Sequence, residues 1–181
     1  MIMKKRWISL YVENEVGVLA KIAGLFSGKS YNLMSLTVGT TEDSTMSRMT
    51  ISVESDDATF EQIKKQLNRC VEVIEVIDFT NCPIHRKEVL YIKVKKCDEK
   101  IKNEVLRIAG IFHHSWFLSA YIPAKFKLPI VDYGKEEILL ECMQTETRND
   151  EMIAYFSQYF KNIEVVRGGS VAIQGVSIQD K

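Results

Sequence analysis

The chain has no excess of charge of either sign. Its 181 residues include 24 Lys and Arg against 24 Asp and Glu, mixed along the sequence without a block of like charge. A nucleic-acid-binding domain usually carries a basic stripe that neutralises phosphates. We therefore expect no nucleic-acid partner.

Long apolar runs and paired cysteines are missing too. No stretch approaches the ~18 apolar residues of a transmembrane helix. The opening Met-Ile-Met-Lys-Lys-Arg leads into a strand pattern without signal-peptide features. We expect a cytoplasmic protein that does not associate with membranes. The four cysteines form no CxxC pair, so reduced thiols and no metal site are predicted.

Catalytic and cofactor motifs are also absent from the sequence. Neither GxGxxG nor GxxxxGK[ST] occurs, so no phosphate-binding loop is predicted. His113 and His114 are adjacent and would point in different directions, and no motif places a nucleophile or an acid beside them. The sequence therefore predicts a protein that is not an enzyme and holds no cofactor.

The most informative stretch joins an apolar run to an amphipathic helix. Residues 7–12 are rich in β-branched and aromatic residues and predict a strand, and the apolar spacing from Val18 onward predicts a helix. The first turn of a helix leaves N–H groups that suit a carboxylate or phosphate. Gly17 allows a ligand to come close because it lacks a Cβ. The turn at residues 13–19 is therefore predicted to bind an anionic group.

The rest of the N-terminal half completes a β-α-β-β-α-β order. The predicted elements are strands at 32–38 and 47–53, a helix capped by Asp56 or Asp57 with an apolar stripe from Phe60 to Cys70, and a strand at 71–77. This is the ferredoxin-like plan, an antiparallel sheet with helices on one face. RNA-recognition domains share this order, but the third strand here lacks the aromatic residues that stack on bases, so RNA binding is not expected.

A second module of the same plan is predicted for residues 88–181, after a linker at 81–87 that contains a proline. The predicted fold class is thus α+β, two ferredoxin-like βαββαβ domains in tandem, the first at residues 1–80. One segment near 112–129 is too long and too apolar for a simple turn. We interpret it as an insertion, either a contact for a partner or a lid packed on its own domain.

Two asparagines offer the chemistry that an α-amino acid needs. The amide of Asn14 can donate to a carboxylate and accept from an ammonium group, and Asn32 can do likewise. Asn32 follows the far end of the helix, so within one chain the two amides are about a helix length apart. They could meet across a two-fold interface. From these residues alone, helix capping by Asn14 and turn stabilisation by Asn32 remain equally open.

At these residues the chain resembles the small regulatory subunits of acetolactate synthase (acetohydroxyacid synthase). The residues that carry the resemblance are 10–19, 24–27, 31–38, 47–51 and 163–169. The resemblance covers residues 5–80 well and 88–176 more loosely. Ser30 stands where the family commonly has Gly, so the loop that reaches Asn32 is expected to be set differently.

The resemblance implies that the first module is an ACT domain that pairs side by side with a second copy. A branched-chain amino acid, usually valine and otherwise leucine or isoleucine, would bind in the interface as a feedback inhibitor. The implied effector site takes residues from both chains: Asn14, Gly17, Val18 and Leu19 from one, Asn32 and Leu33 from the other.

The resemblance also implies a partner. This is a large catalytic subunit that holds thiamine diphosphate, FAD and magnesium, none of which this chain has a motif to bind. The chain would raise the activity of that subunit and make it sensitive to the amino acid. The alternative is an ACT-domain amino-acid sensor that regulates a different enzyme.

Overall fold

The computed structural model describes residues 2–29, 31–113 and 128–176. Ser30 and most of the predicted insertion at 112–129 lie outside these residues. The described elements are β1 (Lys4–Glu13), α1 (Val18–Gly28), β2 (Leu33–Thr40), β3 (Met46–Ser55), α2 (Asp57–Leu67), β4 (Val73–Asp78), β5 (Ile84–Lys95), α3 (Glu99–His113), β6 (Ile130–Tyr133), β7 (Glu137–Gln144), α4 (Glu146–Tyr159) and β8 (Ile163–Gln174).

The predicted α+β class with two βαββαβ modules is confirmed. The strands form two four-stranded sheets, ordered β2-β3-β1-β4 and β6-β7-β5-β8, so both modules have the same connectivity. In the first sheet β3 pairs antiparallel with both β1 and β2. The predicted order of the second module required one more strand, which the apolar pattern did not locate. The structure shows that this strand is β6. Among the described residues no helix is long and apolar enough to span a membrane.

The first compact unit consists of residues 1–86 together with 169–181, described to residue 176. Its core lies between one face of the sheet and the two helices, as alternation in the strands and the i, i+4 spacing of α1 predict. The buried residues are Ile8, Leu10, Val12, Val18, Ile22, Phe26, Met49, Ile51, Val53, Phe60, Ile63 and Leu67. The helix α2 ends at Leu67, so Cys70 lies beyond it and not on its apolar stripe.

The opposite face of the first sheet is polar and packs against the end of β8. The hydroxyl of Thr37 donates to the carbonyl of Ser170 at 3.0 Å. At Gly169 the backbone has a φ of +75°, and a Cβ there would lie 2.8 Å from Cγ2 of Thr37. Only glycine fits such a close approach without strain. The final strand therefore continues to Gln174, beyond the predicted residues 163–166.

The second compact unit consists of residues 87–168. Its core repeats the plan of the first, with one sheet face packed against α3 and α4. The buried residues include Leu90, Ile92, Val94, Val105, Ile108, Ile138, Leu140, Cys142, Met152 and Phe156. The strand β5 begins at Ile84, so part of the predicted linker at 81–87 is strand, and the units divide between Arg86 and Lys87.

The Cys142 thiol reports on the integrity of the second core. Burial raises the pKa of this thiol to about 11, so at pH 8 only about 0.1% of it is the reactive thiolate. We expect iodoacetamide to label the half-buried Cys70 and Cys82 in the native chain and to label Cys142 only after unfolding. Mass spectrometry after timed labelling measures this, and rapid native labelling of Cys142 would contradict the burial.

Candidate functional site

The turn between β1 and α1 leaves the start of the helix open. Gly17 is the N-cap residue, in a left-handed conformation with a φ of +93°, and no side chain caps the helix. The amide of Val18 donates weakly to the carbonyl of Glu15, at 3.4 Å. The amides of Leu19 and Ala20 have no acceptor among the described residues. These N–H groups and the positive end of the helix dipole suit an anion.

The other three described helix starts each have a side-chain cap or an acid in the first turn. In α2 the carboxylate of Asp56 accepts from the amide of Thr59 at 2.9 Å, and before α3 that of Asp98 accepts from the amide of Ile101 at 2.7 Å. The first turn of α4 contains Glu146, whereas the first turn of α1 contains no acid. Of these four, α1 alone therefore has neither a side-chain cap nor an acid.

Side-chain exposure divides the predicted residues of this turn. Val18 is buried in the core, so it can offer a ligand only its backbone. The side chain of Leu19 is 44% exposed and that of Val16 is fully exposed. A ligand at the helix start would therefore meet backbone N–H groups and the apolar side chain of Leu19.

Asn14 ties the helix turn to the β2–β3 hairpin. Its side-chain N–H donates to the carbonyl of Ser44 at 2.9 Å, and the hydroxyl of Ser47 donates to its side-chain oxygen at 3.0 Å. Its backbone amide donates to Thr45 at 2.8 Å. Capping of α1 by Asn14 is thus not observed, because Gly17 is the N-cap. The amide still has a second N–H and a second lone pair for a ligand.

Asp43 holds the hairpin turn in place. Its carboxylate accepts from the amide of Thr45 at 2.9 Å and from the hydroxyl of Thr45 at 2.7 Å. These hydrogen bonds lower the pKa of Asp43. A carboxyl whose pKa is lowered by folding stabilises the fold above its unfolded value and loses that contribution as the pH falls through the folded value. The turn that Asn14 contacts is therefore organised best near neutral pH.

Asn32 lies at the other end of the sheet from Asn14. In the strand register Glu13 pairs with Met46, and Leu33 pairs with Val53. Along β3 these two pairs are roughly 23 Å apart at about 3.3 Å per residue. The two asparagines are therefore far apart within one chain, which agrees with the separation that the sequence predicted.

The side chains of Asn32 and Leu33 differ in environment. Asn32 is exposed, and its amide makes no hydrogen bond with the described residues. Leu33 is partly buried and packs against the first core. The amide of Asn32 is therefore available to a ligand, whereas Leu33 mainly sets the position of the start of β2.

Lys21 and Glu72 form an ion pair near the helix start, and their opposite charges compensate each other. The ammonium of Lys21 lies 2.5 Å from the carboxylate of Glu72. This hydrogen bond raises the pKa of Lys21 and lowers the pKa of Glu72. Both groups stay charged near neutral pH and compensate each other. The positive character of the helix start therefore comes from its backbone.

Exposed apolar side chains lie along the outer strand β2 and on α1, and the residue patterns did not single them out. The strand β2 is an outer strand of the first sheet. Met34 and Val38 on β2 are 46% and 47% exposed, and Leu19 on α1 is exposed to a similar degree. Leu36 lies between Met34 and Val38 in the chain but packs against the first core, and the register of β2 shifts between Leu33 and Ser35, so simple alternation along the strand does not predict which of these side chains are exposed.

Metal chemistry has no candidate site in the described ranges. Within residues 2–29, 31–113 and 128–176, no three His, Cys, Asp or Glu side chains are grouped so as to hold a metal ion.

Two family models match the chain. Residues 8–75 match the AHAS small subunit-like ACT domain, and residues 121–176 match the small subunit of acetolactate synthase. A probable acetolactate synthase small subunit from Archaeoglobus fulgidus is 37% identical over 93% of this chain and 96% of that protein. The chain belongs to the acetolactate synthase small subunit family. The resemblance seen in the sequence is therefore confirmed.

Other family members agree in sequence and in fold. The acetolactate synthase isozyme 3 small subunit of Escherichia coli is 32% identical over 98% of both chains. The crystal structure of the acetolactate synthase small subunit from Thermotoga maritima matches with a TM-score of 0.78 and 28% identity, covering 97% of this chain and 99% of that one. The ACT-domain match at residues 8–75 includes the open helix start and both asparagines.

Proposed function

We propose that this chain is the regulatory subunit of an acetolactate synthase in branched-chain amino acid biosynthesis. It forms a homodimer through its ACT domain, binds a branched-chain amino acid, most often valine, and raises the activity of a catalytic large subunit. The observation that carries the effector site is the open start of α1. There the uncapped amides of Leu19 and Ala20 would receive the carboxylate of the amino acid.

The topology of the first sheet supports a site shared between two chains. If two copies pair their β2 edges antiparallel about a two-fold axis, the start of one β2 lies opposite the end of the other. Thr40 at that end pairs with Ser47, which contacts Asn14. Asn32 of one chain would thus reach the Asn14 end of the other. The exposed Met34 and Val38 would be buried by this pairing.

Effector binding on this chain would be coupled to catalysis on the large subunit. The effector would change the activity of the large subunit through a coupling free energy, typically ~1–3 kcal/mol. The amino acid must therefore bind one arrangement of the ACT dimer better than another. Thiamine diphosphate, FAD and magnesium would belong to the large subunit.

Co-purification and titration test this function. We expect the chain to recover a catalytic large subunit that makes acetolactate, to increase its rate, and to bind valine, leucine or isoleucine in calorimetric titration. Valine binding without a synthase partner would favour the sensor of a different enzyme. Absence of both results would overturn the proposal.

Asn14→Ala is expected to weaken effector binding about tenfold or more and to cost about 1 kcal/mol of stability. The loss of stability follows from the two hydrogen bonds to the hairpin. Asn68→Ala is the matched control, since the Asn68 amide donates to the Lys64 carbonyl at 2.9 Å, away from the helix start. Calorimetry with valine and urea unfolding measure both effects. Equal affinity in the two variants would exclude Asn14 from the site.

A further inference from the structure

The end of β8 contacts β2, the outer strand that begins beside two predicted effector residues. These are Asn32, which directly precedes β2, and Leu33, its first residue. In the middle of the strand, the hydroxyl of Thr37 donates to the carbonyl of Ser170 on β8 at 3.0 Å. One short strand therefore adjoins the effector residues and also contacts β8.

The contact between β2 and β8 leaves no spare room. Gly169 has a φ of +75°, and a Cβ there would lie 2.8 Å from Cγ2 of Thr37 and 3.7 Å from Cβ of Ser35. Ser170 is 1% exposed, so bulk water has little access to its hydrogen bond with Thr37. A shift of β2 relative to β8 would therefore break a buried hydrogen bond or create a steric clash.

A second hydrogen bond attaches the end of β8 to the neighbouring strand. The backbone amide of Ala172 donates to the hydroxyl oxygen of Thr50 at 3.4 Å, and Thr50 on β3 is the cross-strand partner of Thr37. In the sheet order, β3 lies between β1 and β2, whereas β2 is an outer strand. An outer strand has fewer ladder hydrogen bonds to break, so an effector displaces β2 more easily than β3.

The strand β8 extends from the first compact unit into the second. Residues 163–168 belong to the second unit, and residues 169–174 belong to the first. Arg167, three residues before Ser170, donates to the buried carboxylate of Glu88 in the second unit. A displacement of Ser170 therefore acts along continuous backbone on a residue that is held in the second unit.

We propose that the contact of Thr37 with Gly169 and Ser170 transmits effector binding from β2 to β8. This inference rests on the proposed function, because it takes the effector to bind beside the start of β2. An effector at Asn32 fixes the position of β2, and β8 follows because a shift between the strands would break their hydrogen bond. The position of β8 in turn changes the activation of the large subunit.

Thr37→Val tests the contact because it removes the hydroxyl and keeps the shape of the side chain. In complex with the large subunit, we expect valine affinity within about threefold of the parent chain and normal activation without valine. The fold-inhibition, which is the ratio of the rates without and with saturating valine, should fall by about fivefold or more. Calorimetric titration and acetolactate formation measure these quantities. Full inhibition of the folded variant would overturn the proposal.

Thr37→Ser is the matched control, because it keeps the hydroxyl and loses only Cγ2. We expect it to be inhibited as the parent chain is. Thr59→Val removes a hydroxyl on α2 that donates to Asp56 at 3.0 Å, and it should also leave inhibition unchanged. If either control loses inhibition, or if Thr37→Val loses valine binding as well, the contact with Ser170 does not transmit the effector signal.

A change on the β8 side gives an independent test. Gly169→Ala places a methyl group 2.8 Å from Cγ2 of Thr37 and is expected to weaken inhibition as Thr37→Val does. Adding Thr37→Ser removes Cγ2 and should restore inhibition. A folded double variant without restored inhibition would overturn the proposal. This pair of variants decides alone if Thr37→Val does not fold.

The parent chain separates the failure of this inference from the failure of the proposed function. If the parent chain neither binds valine nor activates a large subunit, the proposed function fails, and the coupling through β8 fails with it. If the parent chain is inhibited by valine and Thr37→Val is inhibited equally, only the coupling through Ser170 fails.

Discussion

Gly17→Asp is expected to abolish valine binding, and with it feedback inhibition, while activation of the catalytic subunit is retained. The new carboxylate would stand at the uncapped amides of α1, where the carboxylate of the amino acid is proposed to bind. Two like charges about 5 Å apart repel by about 3 kcal/mol at an effective dielectric constant of about 20. This corresponds to a loss of affinity of about 100-fold or more.

Gly17→Asn is the matched control for this charge. Asparagine has the shape of aspartate, and both residues adopt the left-handed conformation that Gly17 has, with a φ of +93°, more readily than other side chains. A Cβ at Gly17 meets no atom within 4 Å. We therefore expect both variants to fold with a similar loss of stability of about 1–2 kcal/mol, because the left-handed backbone at this position strains any residue with a Cβ.

The comparison of these variants separates charge from steric effects. Calorimetric titration with valine should give an affinity for Gly17→Asn within about tenfold of the parent chain and no measurable binding for Gly17→Asp. If Gly17→Asp binds valine as the parent does, the start of α1 is not the effector site. If both variants lose binding equally, the anion-binding argument fails.

Arg167→Ala is expected to destabilise the second unit by about 3 kcal/mol, because it leaves a buried carboxylate without its partner. Glu88 is 3% exposed, and Arg167 donates to its two carboxylate oxygens at 3.0 and 2.7 Å. The hydrogen bond with Glu88 is the main cause of the raised pKa of Arg167, so the guanidinium stays charged. The amide of Asn149 also donates to Glu88, at 2.9 Å.

Arg107→Ala is the matched control, because it removes an arginine of the same unit from an exposed pair. Arg107 donates to both carboxylate oxygens of Glu104, at 2.9 and 2.6 Å. Exposed ion pairs contribute about 0–1 kcal/mol, so we expect little effect on the free energy of unfolding. Urea unfolding followed by circular dichroism measures both variants, and labelling of Cys142 reports on the second unit. If both variants lose a similar small free energy of unfolding, the burial of Glu88 does not increase the contribution of its ion pair to stability.

Most elements of the first unit could be predicted because their signals are local. The apolar spacing of α1 and the alternation along β3 depend on neighbouring residues, and the structure places both elements within a few residues of the predictions. The continuation of β8 could not be predicted in this way. It depends on contacts of Ser170 with Thr37, which lies 133 residues earlier in the chain.

The structural setting of the candidate site was predicted in part, whereas its role in binding stays a prediction. The turn at residues 13–19 was correctly placed between a strand and a helix, because a strand pattern and a helix pattern adjoin there. The attachment of Asn14 to Ser44 and Ser47 was missed, since these partners lie about 30 residues away on a hairpin. Patterns of neighbouring residues do not predict a hydrogen bond between side chains that are so far apart in the sequence.

The sequence by itself determined the two βαββαβ modules, the helix start at Gly17 and membership of the acetolactate synthase small subunit family. These follow from residue patterns and motifs in which the informative residues are close together in the sequence. Only the tertiary structure decided that α1 is uncapped and that Asn14 holds the hairpin. The reason is physical: which groups satisfy a helix end, and which ends of strands meet, depend on residues that become neighbours only when the chain folds.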